Sequence, residues 1–403
     1  MLTHQRPNLL NTEGQPISRA TAVVALMVVT FAIFVDILIY GMIIPILPHY
    51  TATLGIPASG TGVLFGSYAA TLLLATPVCS VLADRLGRRK TMVWGLSGLV
   101  SATLLLAVAQ SFALLITARL LQGAAAAATW TAGLTLIADV FPAEARGRAM
   151  GMVMTGAALG MLVGPIAGGL LYEWGGYQLP FLVAACLALI DGLARVALLP
   201  DTKRRSDTRT AIITLLRNRH VLLAGSVVLV TASVLSLLEP TLPLYLHQQF
   251  DASSGMIGLL FGIIALASGL ITPLAGILAD RYGRWPIIHI GLLALTLTLP
   301  LIALPHSLLP VIPALFLVGS SAALALTPPL AALADAVDGY GRGAYASAYA
   351  IFNLAYAGGM LGGPLIGGIL ISIYSFPIML IIISAGVLAV CCSLITVPKA
   401  QQR

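Results

Sequence analysis

Apolar residues in this chain come in long unbroken runs, without the strict alternation of strands or the narrow stripe of a soluble amphipathic helix. Twelve such runs can be laid out, at 20–47, 60–82, 91–109, 112–138, 147–173, 178–199, 220–246, 255–279, 286–303, 308–334, 344–373 and 376–397. A helix that crosses a bilayer needs about 20 consecutive apolar residues. Continuous runs predict helices, because barrel strands alternate between lipid and lumen. The pattern therefore predicts an all-α membrane protein with twelve transmembrane helices.

Composition removes the soluble alternative. Of 403 residues, 59% are hydrophobic and 9% are charged, where soluble domains carry about 25% charge. The 21 Lys and Arg residues then orient the chain. Those at 85–90, 146–148, 203–219 and 281–284, with Arg342, fall in every second loop. Arg6, Arg19, Lys399 and Arg403 sit on the tails, and only Arg119 and Arg195 lie within runs. The positive-inside rule puts the tails (1–19 and 398–403) and the central segment 200–219 in the cytoplasm. The expected location is the inner (plasma) membrane, multi-pass, with a lipid bilayer as surroundings. The net charge of +7 follows from this bias and calls for no nucleic acid. The first 18 residues lack an apolar leader, so no cleaved signal peptide is expected. Cys79, Cys186, Cys391 and Cys392 lie in apolar runs without disulfide or zinc spacing, and the histidines are scattered. No metal site or cofactor is expected. The absence of a P-loop argues against ATP drive. The expectation is a secondary transporter and not an enzyme.

The chain repeats itself. Gly62, Phe65, Gly66, Thr76, Pro77, Leu82, Ala83, Asp84, Arg85, Gly87 and Arg88 recur 196 positions later (62 to 258) as Gly258, Phe261, Gly262, Thr272, Pro273, Leu278, Ala279, Asp280, Arg281, Gly283 and Arg284. Asp139, Arg146 and Gly147 recur as Asp335, Arg342 and Gly343, and Pro45 and Pro48 recur as Pro240 and Pro243. Two pseudo-symmetric six-helix bundles are expected, at 20–199 and 220–397, joined by the polar linker 200–219. Parallel halves of this kind rock about a site at the membrane midplane.

Three motifs carry candidate chemistry. The segment 82–89 ends the second run with Asp84, Arg85 and Arg88, and Asp280, Arg281 and Arg284 repeat it. A carboxylate at a helix end can pair with Arg and with a neighbouring helix N-terminus, which would latch the cytoplasmic side. Asp139 and Asp335, seven residues before Arg146 and Arg342, read as symmetric gate residues of the same latch. The second motif is Arg119, Gln122 and Gly123; a charge within a span costs several kcal/mol unless paired or hydrated. The third is Gly151, Gly160, Gly164, Pro165, Gly168 and Gly169, whose small side chains admit a second helix closely while the proline bends the first. Gly359, Gly363, Pro364, Gly367 and Gly368 form a shorter copy. Plain small-residue packing is the bland alternative for the glycines, and backbone-satisfied bracing for Arg119.

On these residues the chain resembles the major facilitator superfamily over essentially its whole length. Within it the chain is similar to the twelve-helix drug:proton antiporters, which include bacterial multidrug exporters and the vesicular monoamine transporters. Segment 82–89 matches the loop signature G-x-L-A-D-R-x-G-R-K, except that Ser80 replaces the first Gly. The resemblance implies the major facilitator fold, a role for Arg119 in proton coupling, and exchange for the full glycine motif of the fifth run.

Asp36 lies mid-span in the first run and Glu239 in the outer half of the seventh, and neither has a counterpart at the repeat positions Thr231 and Ile44. Isolated carboxylates at membrane depth are expected to face a hydrated cavity. There each can hold a proton or a cation but not both, which is the physical basis of exchange. A purely structural hydrogen-bonded carboxylate is the alternative at each. The resemblance to the monoamine transporters implies that Asp36 binds a substrate amine and that Glu239 contributes. Where those relatives pair a Lys in the second helix with an Asp in the eleventh, this chain has Tyr68 and Asn353, and the first loop is only about 50–59. Tyr40, Trp130, Asn353 and Tyr356 are candidate cavity residues, with rings suited to a cation's charge, or core packing. Asp191 and Arg195, four apart, read as a local ion pair. The expectation is a monomeric proton-coupled exporter of lipophilic or aromatic organic cations. Export of a neutral or anionic metabolite, uptake by proton symport, and a non-transporting receptor are the alternatives.

Overall fold

The computed structural model describes residues 18–141, 143–200, 218–336 and 344–395. Arg342, expected beside Asp335, lies outside them, as do the tails and most of the linker. The described residues form fourteen helices. The first half comprises α1 (Arg19–Met42), α2 (Leu47–Thr53), α3 (Ala58–Leu86), α4 (Arg88–Val108), α5 (Phe112–Val140), α6 (Ala143–Gly175) and α7 (Gln178–Leu198). The second comprises α8 (Arg219–Phe250), α9 (Ser254–Tyr282), α10 (Arg284–Leu301), α11 (Val311–Leu326), α12 (Pro328–Asp335), α13 (Ala344–Ile373) and α14 (Phe376–Ile395). They make 12 spans long and apolar enough to cross a membrane.

Fourteen helices make twelve spans because proline breaks two of them. Pro45 has no N–H to give Gly41, and the chain closes residues 43–46 with shorter bonds, Ile44 N to Gly41 O (3.1 Å) and Ile46 N to Ile43 O (3.2 Å). The repeat-related Pro240 sits inside the unbroken α8. Four residues before it stands Ser236, whose hydroxyl donates to Ala232 O and Gly359 O, where the first half has the weak helix former Gly41. Pro328 and Pro329 separate α11 from α12 in the same way.

The loop glycines that recur between the halves have a backbone reason. Gly87 and Gly283 end α3 and α9 at φ 101° and 96°, where L side chains are strained, and the next helix starts at once. That tight corner brings Arg88, the first residue of α4, back onto Asp84 (2.5 Å) and across to Asp139 at the end of α5 (3.1 Å). Arg284 repeats the arrangement with Asp280 and Asp335. The two copies differ in burial. Arg88 is 1% exposed, whereas the Arg284 side chain is 27% exposed and that of Asp335 is 58%. Removing one partner of a buried ion pair typically costs about 3–5 kcal/mol, against about 0–1 for an exposed pair. Arg88→Ala should therefore lower the melting temperature in detergent several times more than Arg284→Ala; equal shifts would contradict this.

The halves touch along two seams, α3 with α13 and α6 with α9, and glycines mark where. A Cβ added to Gly368 would lie 3.1 Å from Ser59 Cα and 3.2 Å from Gly62 Cα; one on Gly258 would lie 3.3 Å from Ile166 Cα. All these residues are at the ends of their helices away from the basic loops. Toward the basic loops the seams part. Gly147, Gly151, Gly269 and Gly276 have open space beside them, and Leu74, Val78, Leu270 and Ile277 are exposed. Among the described residues, the molecule is thus closed at its non-basic face and open toward its basic face.

Candidate functional site

Near the middle of the bundle, α1, α3, α5 and α8 bring together polar groups that are buried, where Asp36 and Glu239 were expected to face a hydrated cavity. Asp36 is 1% exposed, Arg119 0% and Glu239 5%. Trp130 Nε1, on α5, donates to Asp36 Oδ2 at 2.9 Å. One helical turn along α1 from Asp36, Tyr40 donates its hydroxyl proton to Glu239 Oε2 at 2.5 Å. Tyr40 belongs to the first half and Glu239 to the second, so this bond crosses between the halves.

Arg119 supplies the positive charge. Its guanidinium lies over the rings of Tyr68 (4.8 Å), Tyr40 (5.3 Å) and Phe65 (5.4 Å). Nη1 donates to Gln122 Oε1 at 2.7 Å and Nε to Leu64 O at 3.4 Å, while Nη2 has no hydrogen-bond partner among the described residues. Arg119 and Glu239 also act on each other electrostatically. Each member of Arg-x-x-Gln-Gly thus has a task. Gln122 fixes the guanidinium from the next turn. A Cβ on Gly123 would run into the Tyr68 backbone, so glycine lets α5 approach α3.

The glycine motif of α6 has two working faces. Added Cβ atoms on Gly160, Gly164 and Gly168 would lie 2.6 Å from Phe34 O, 2.7 Å from Leu38 O and 2.6 Å from Met42 Cα. Those three glycines seat α6 on the backbone of α1, the helix that carries Asp36 and Tyr40. Gly169 turns the other way and faces α9 across the seam, with Gly255 Cα 2.9 Å from its added Cβ. Pro165 lies against Gly41 and Gly258. Gly151 meets nothing within 4 Å, and Gly156, outside the motif, packs on Thr30. In α13, Gly359 and Gly363 pack on α8 and Gly368 on α3.

Two expected cavity residues are not drawn into the cluster by direct contact. Tyr356 is part-buried and stacks on Phe352 at 6.4 Å. Asn353 is exposed; it lies three turns before Pro364, whose level is where α13 meets α3, and at its own level the helices have parted. Of the latch residues, Arg85 and Arg281 are exposed, Arg281 over the Tyr282 ring (5.3 Å), and Arg146 Nη2 donates to Ala138 O (2.8 Å). Asp84 and Asp280 each pair with an arginine of their own half. Sequence reasoning did not single out Tyr68 as a cluster member, though helical spacing places it one turn from Phe65 on the same face of α3. Asp191 and Arg195 do pair, with both side chains 0% exposed. Arg195 Nη1 further donates to Met92 O (2.9 Å) and Thr129 Oγ1 (3.0 Å), tying α7 to α4 and α5.

A family model described as the Major Facilitator Superfamily matches residues 29–238 and 224–403, one match for each half. The chain belongs to the Major Facilitator Superfamily. As a facilitator it is a polytopic membrane transporter and not an enzyme. Among its relatives, the chromaffin granule amine transporter of Rattus norvegicus is 33% identical over 85% of this chain and 67% of its own length. The synaptic vesicular amine transporter of Bos taurus is 31% identical over 80% and 63%. The probable vesicular acetylcholine transporter-B of Danio rerio is 32% identical over 85% and 73%. The chain spans between 62% and 67% of the length of the granule and synaptic amine transporters. Among solved structures, a bacterial homologue of the human lysosomal transporter Spinster superposes with a TM-score of 0.79 at 14% identity, over 94% of this chain and 96% of that one. The nucleoside transporter NupG gives 0.77 at 14%, over 92% and 98%. At that identity both establish the facilitator fold alone.

Proposed function

We propose that this facilitator exports lipophilic or aromatic organic cations, drug-like or monoamine-like, in exchange for protons. The observation that carries the reading is the Tyr40–Glu239 hydrogen bond between the halves, beside Arg119. A charged Glu239 is attracted to Arg119 and bonded to Tyr40, both in the other half, and so holds the non-basic face closed. Neutralising Glu239, by a proton or by a cation that competes for it, removes the attraction and lets that face open. The unloaded, charged carrier is held, and each loaded form can switch. That is the condition for exchange without leak.

Asp36 suits the ammonium of such a substrate, and Trp130 beside it offers an indole face to the organic part. The same Trp130 also positions the carboxylate through its N–H. Trp130→Phe keeps a ring and removes that donor, at a cost of about 1–3 kcal/mol at a buried charged acceptor. Substrate affinity should fall about tenfold or more, read as competition against a transported dye. Unchanged affinity would remove Trp130 from the site.

The remaining assignments extend this reading. Residues 20–199 and 220–397 are the two rocking bodies, with 200–219 as their tether. The buried Arg88 and its Arg284 copy brace the basic ends, and Asp84, Asp139, Asp280 and Asp335 become latch partners between halves when the basic face closes. The bias of basic residues favours a plasma-membrane exporter with both termini cytoplasmic. A single chain contains both halves of the site, which favours a monomer.

The test is transport by the purified protein in liposomes under an imposed pH gradient. Amines and cationic dyes should accumulate against their gradients with counterflow of protons. If only neutral or anionic compounds are carried, the cation assignment is overturned. If cation and proton move in the same direction, exchange is overturned.

A further inference from the structure

The closed non-basic face holds a second titratable contact that the central cluster does not use. His49 on α2 and His247 on α8 meet there, one from each half, with ring centroids 4.9 Å apart and planes at 79°. They line a cavity of about 330 Å³ between the halves with Tyr172, Glu173 and Ser254. His49 is part-buried and His247 exposed, so protons from that side reach them. His247 Nδ1 lies 3.3 Å from the Ala252 carbonyl oxygen. A carbonyl can only accept, so that nitrogen donates, and a further proton on His247 goes to Nε2.

The groups that face this pair are few. From α6, Tyr172 sets its ring 6.2 Å from that of His49, and Glu173 is the carboxylate of the cavity. Glu173 Oε1 accepts from Gly255 N at 2.9 Å, which bonds the end of α6 to the start of α9 across the seam. The seam at this face thus includes an imidazole-to-imidazole contact and a carboxylate-to-backbone bond.

We propose that His49 and His247 form a proton-binding site that releases the seam at the non-basic face. An ordinary imidazole titrates near pH 6.5, within the range met on the acidic side of an energised membrane. The first proton enters a cavity that is also lined by Glu173. The second places two cations about 5 Å apart and from opposite halves, and their repulsion acts directly along the opening motion. A first proton drawn to Glu173 also weakens the Gly255 bond. The closed seam is stable while the pair is neutral and loses stability as pH falls through the imidazole range. The site thus couples opening to the proton supply on the side where the exchanger must load its proton.

The proposal is independent of substrate and of Glu239, and the test is built to keep them apart. The full chain, with its native cysteines replaced and spin labels at Thr53→Cys and Leu309→Cys on the non-basic face, is placed in lipid nanodiscs. Glu239→Gln is introduced so that this carboxylate cannot titrate. The open-to-closed ratio is read from the distance distribution at about pH 7.5 and 5.5. The ratio should rise about tenfold on acidification, and adding His49→Gln and His247→Gln should abolish the rise. His247→Lys, a fixed cation, should raise the ratio already at the higher pH, which covers the case in which the double variant fails to fold. The proposal is overturned if the ratio does not respond to pH with both histidines present. It is equally overturned if the response survives their removal, or if His247→Lys leaves the seam closed.

Discussion

Glu239→Gln should uncouple the transporter without unfolding it. The amide keeps an oxygen to accept the Tyr40 hydroxyl, whose bond to Glu239 spans 2.5 Å, and it matches the carboxylate in size. What it loses is the charge that attracts Arg119, and with it the alternation between held and released states. The variant behaves as if permanently loaded. Gradient-driven accumulation of cation should fall by roughly 100-fold, the upper range of ordinary coupling free energies. Downhill exchange of labelled for unlabelled cation should persist within a few-fold of wild type. Liposome uptake with and without a pH gradient gives both numbers. Retained accumulation would mean that Glu239 is a structural carboxylate. Asp36→Asn should fail differently, losing downhill exchange as well, because it removes the charge that receives the ammonium.

The second large effect separates the two kinds of glycine contact. Gly258 faces Pro165 and Ile166 across the seam between the halves. Leucine there wedges the non-basic face apart. If the wedge costs the closed state about 3 kcal/mol, that state becomes about 150-fold rarer. Transport should collapse while the melting temperature in detergent stays near that of wild type, because each half is intact. Gly164 faces Leu38 O at 2.7 Å from an added Cβ, inside one half. Both conformations need that contact, so Gly164→Leu should destabilise the fold itself by about 3 kcal/mol or more. Transport assays and thermal melts on the two variants check the contrast. If both melt alike, the seam between the halves is a permanent interface and not a moving one.

These two outcomes bear on how an exchanger avoids leak. The seam is closed by backbone-to-backbone approach at glycines, a tight van der Waals contact. Polar contacts add to it across the seam, Tyr40 to Glu239 in the core and Glu173 to Gly255 at the rim. A steric closure held by few polar bonds can be released by changing one charge.

Much of this molecule was legible along the chain. Runs of apolar residues, uninterrupted over bilayer length, leave a helix as the sole way to satisfy the backbone in lipid. Twelve spans therefore follow from hydropathy. The 196-residue repeat and the alternating basic loops follow from direct reading of residue identities. Asp36, Arg119 and Glu239 stood out because a charge within an apolar run is costly enough to demand a purpose.

Tertiary structure alone decided which residues these charges meet. Helical periodicity sets the face on which a residue lies, not the helix that will oppose it or at what height. Nothing along the chain joins Tyr40 to Glu239 across 199 positions, brings His49 to His247, or divides the α6 glycines between α1 and α9. The chain breaks after Met42, near Pro45, and runs on through the repeat-related Pro240, a difference that the shared proline does not set. Under the proposed exchange, the same sequence must also serve a second arrangement of the halves. Local pattern encodes the bodies that both share, and only packing selects the face that is closed.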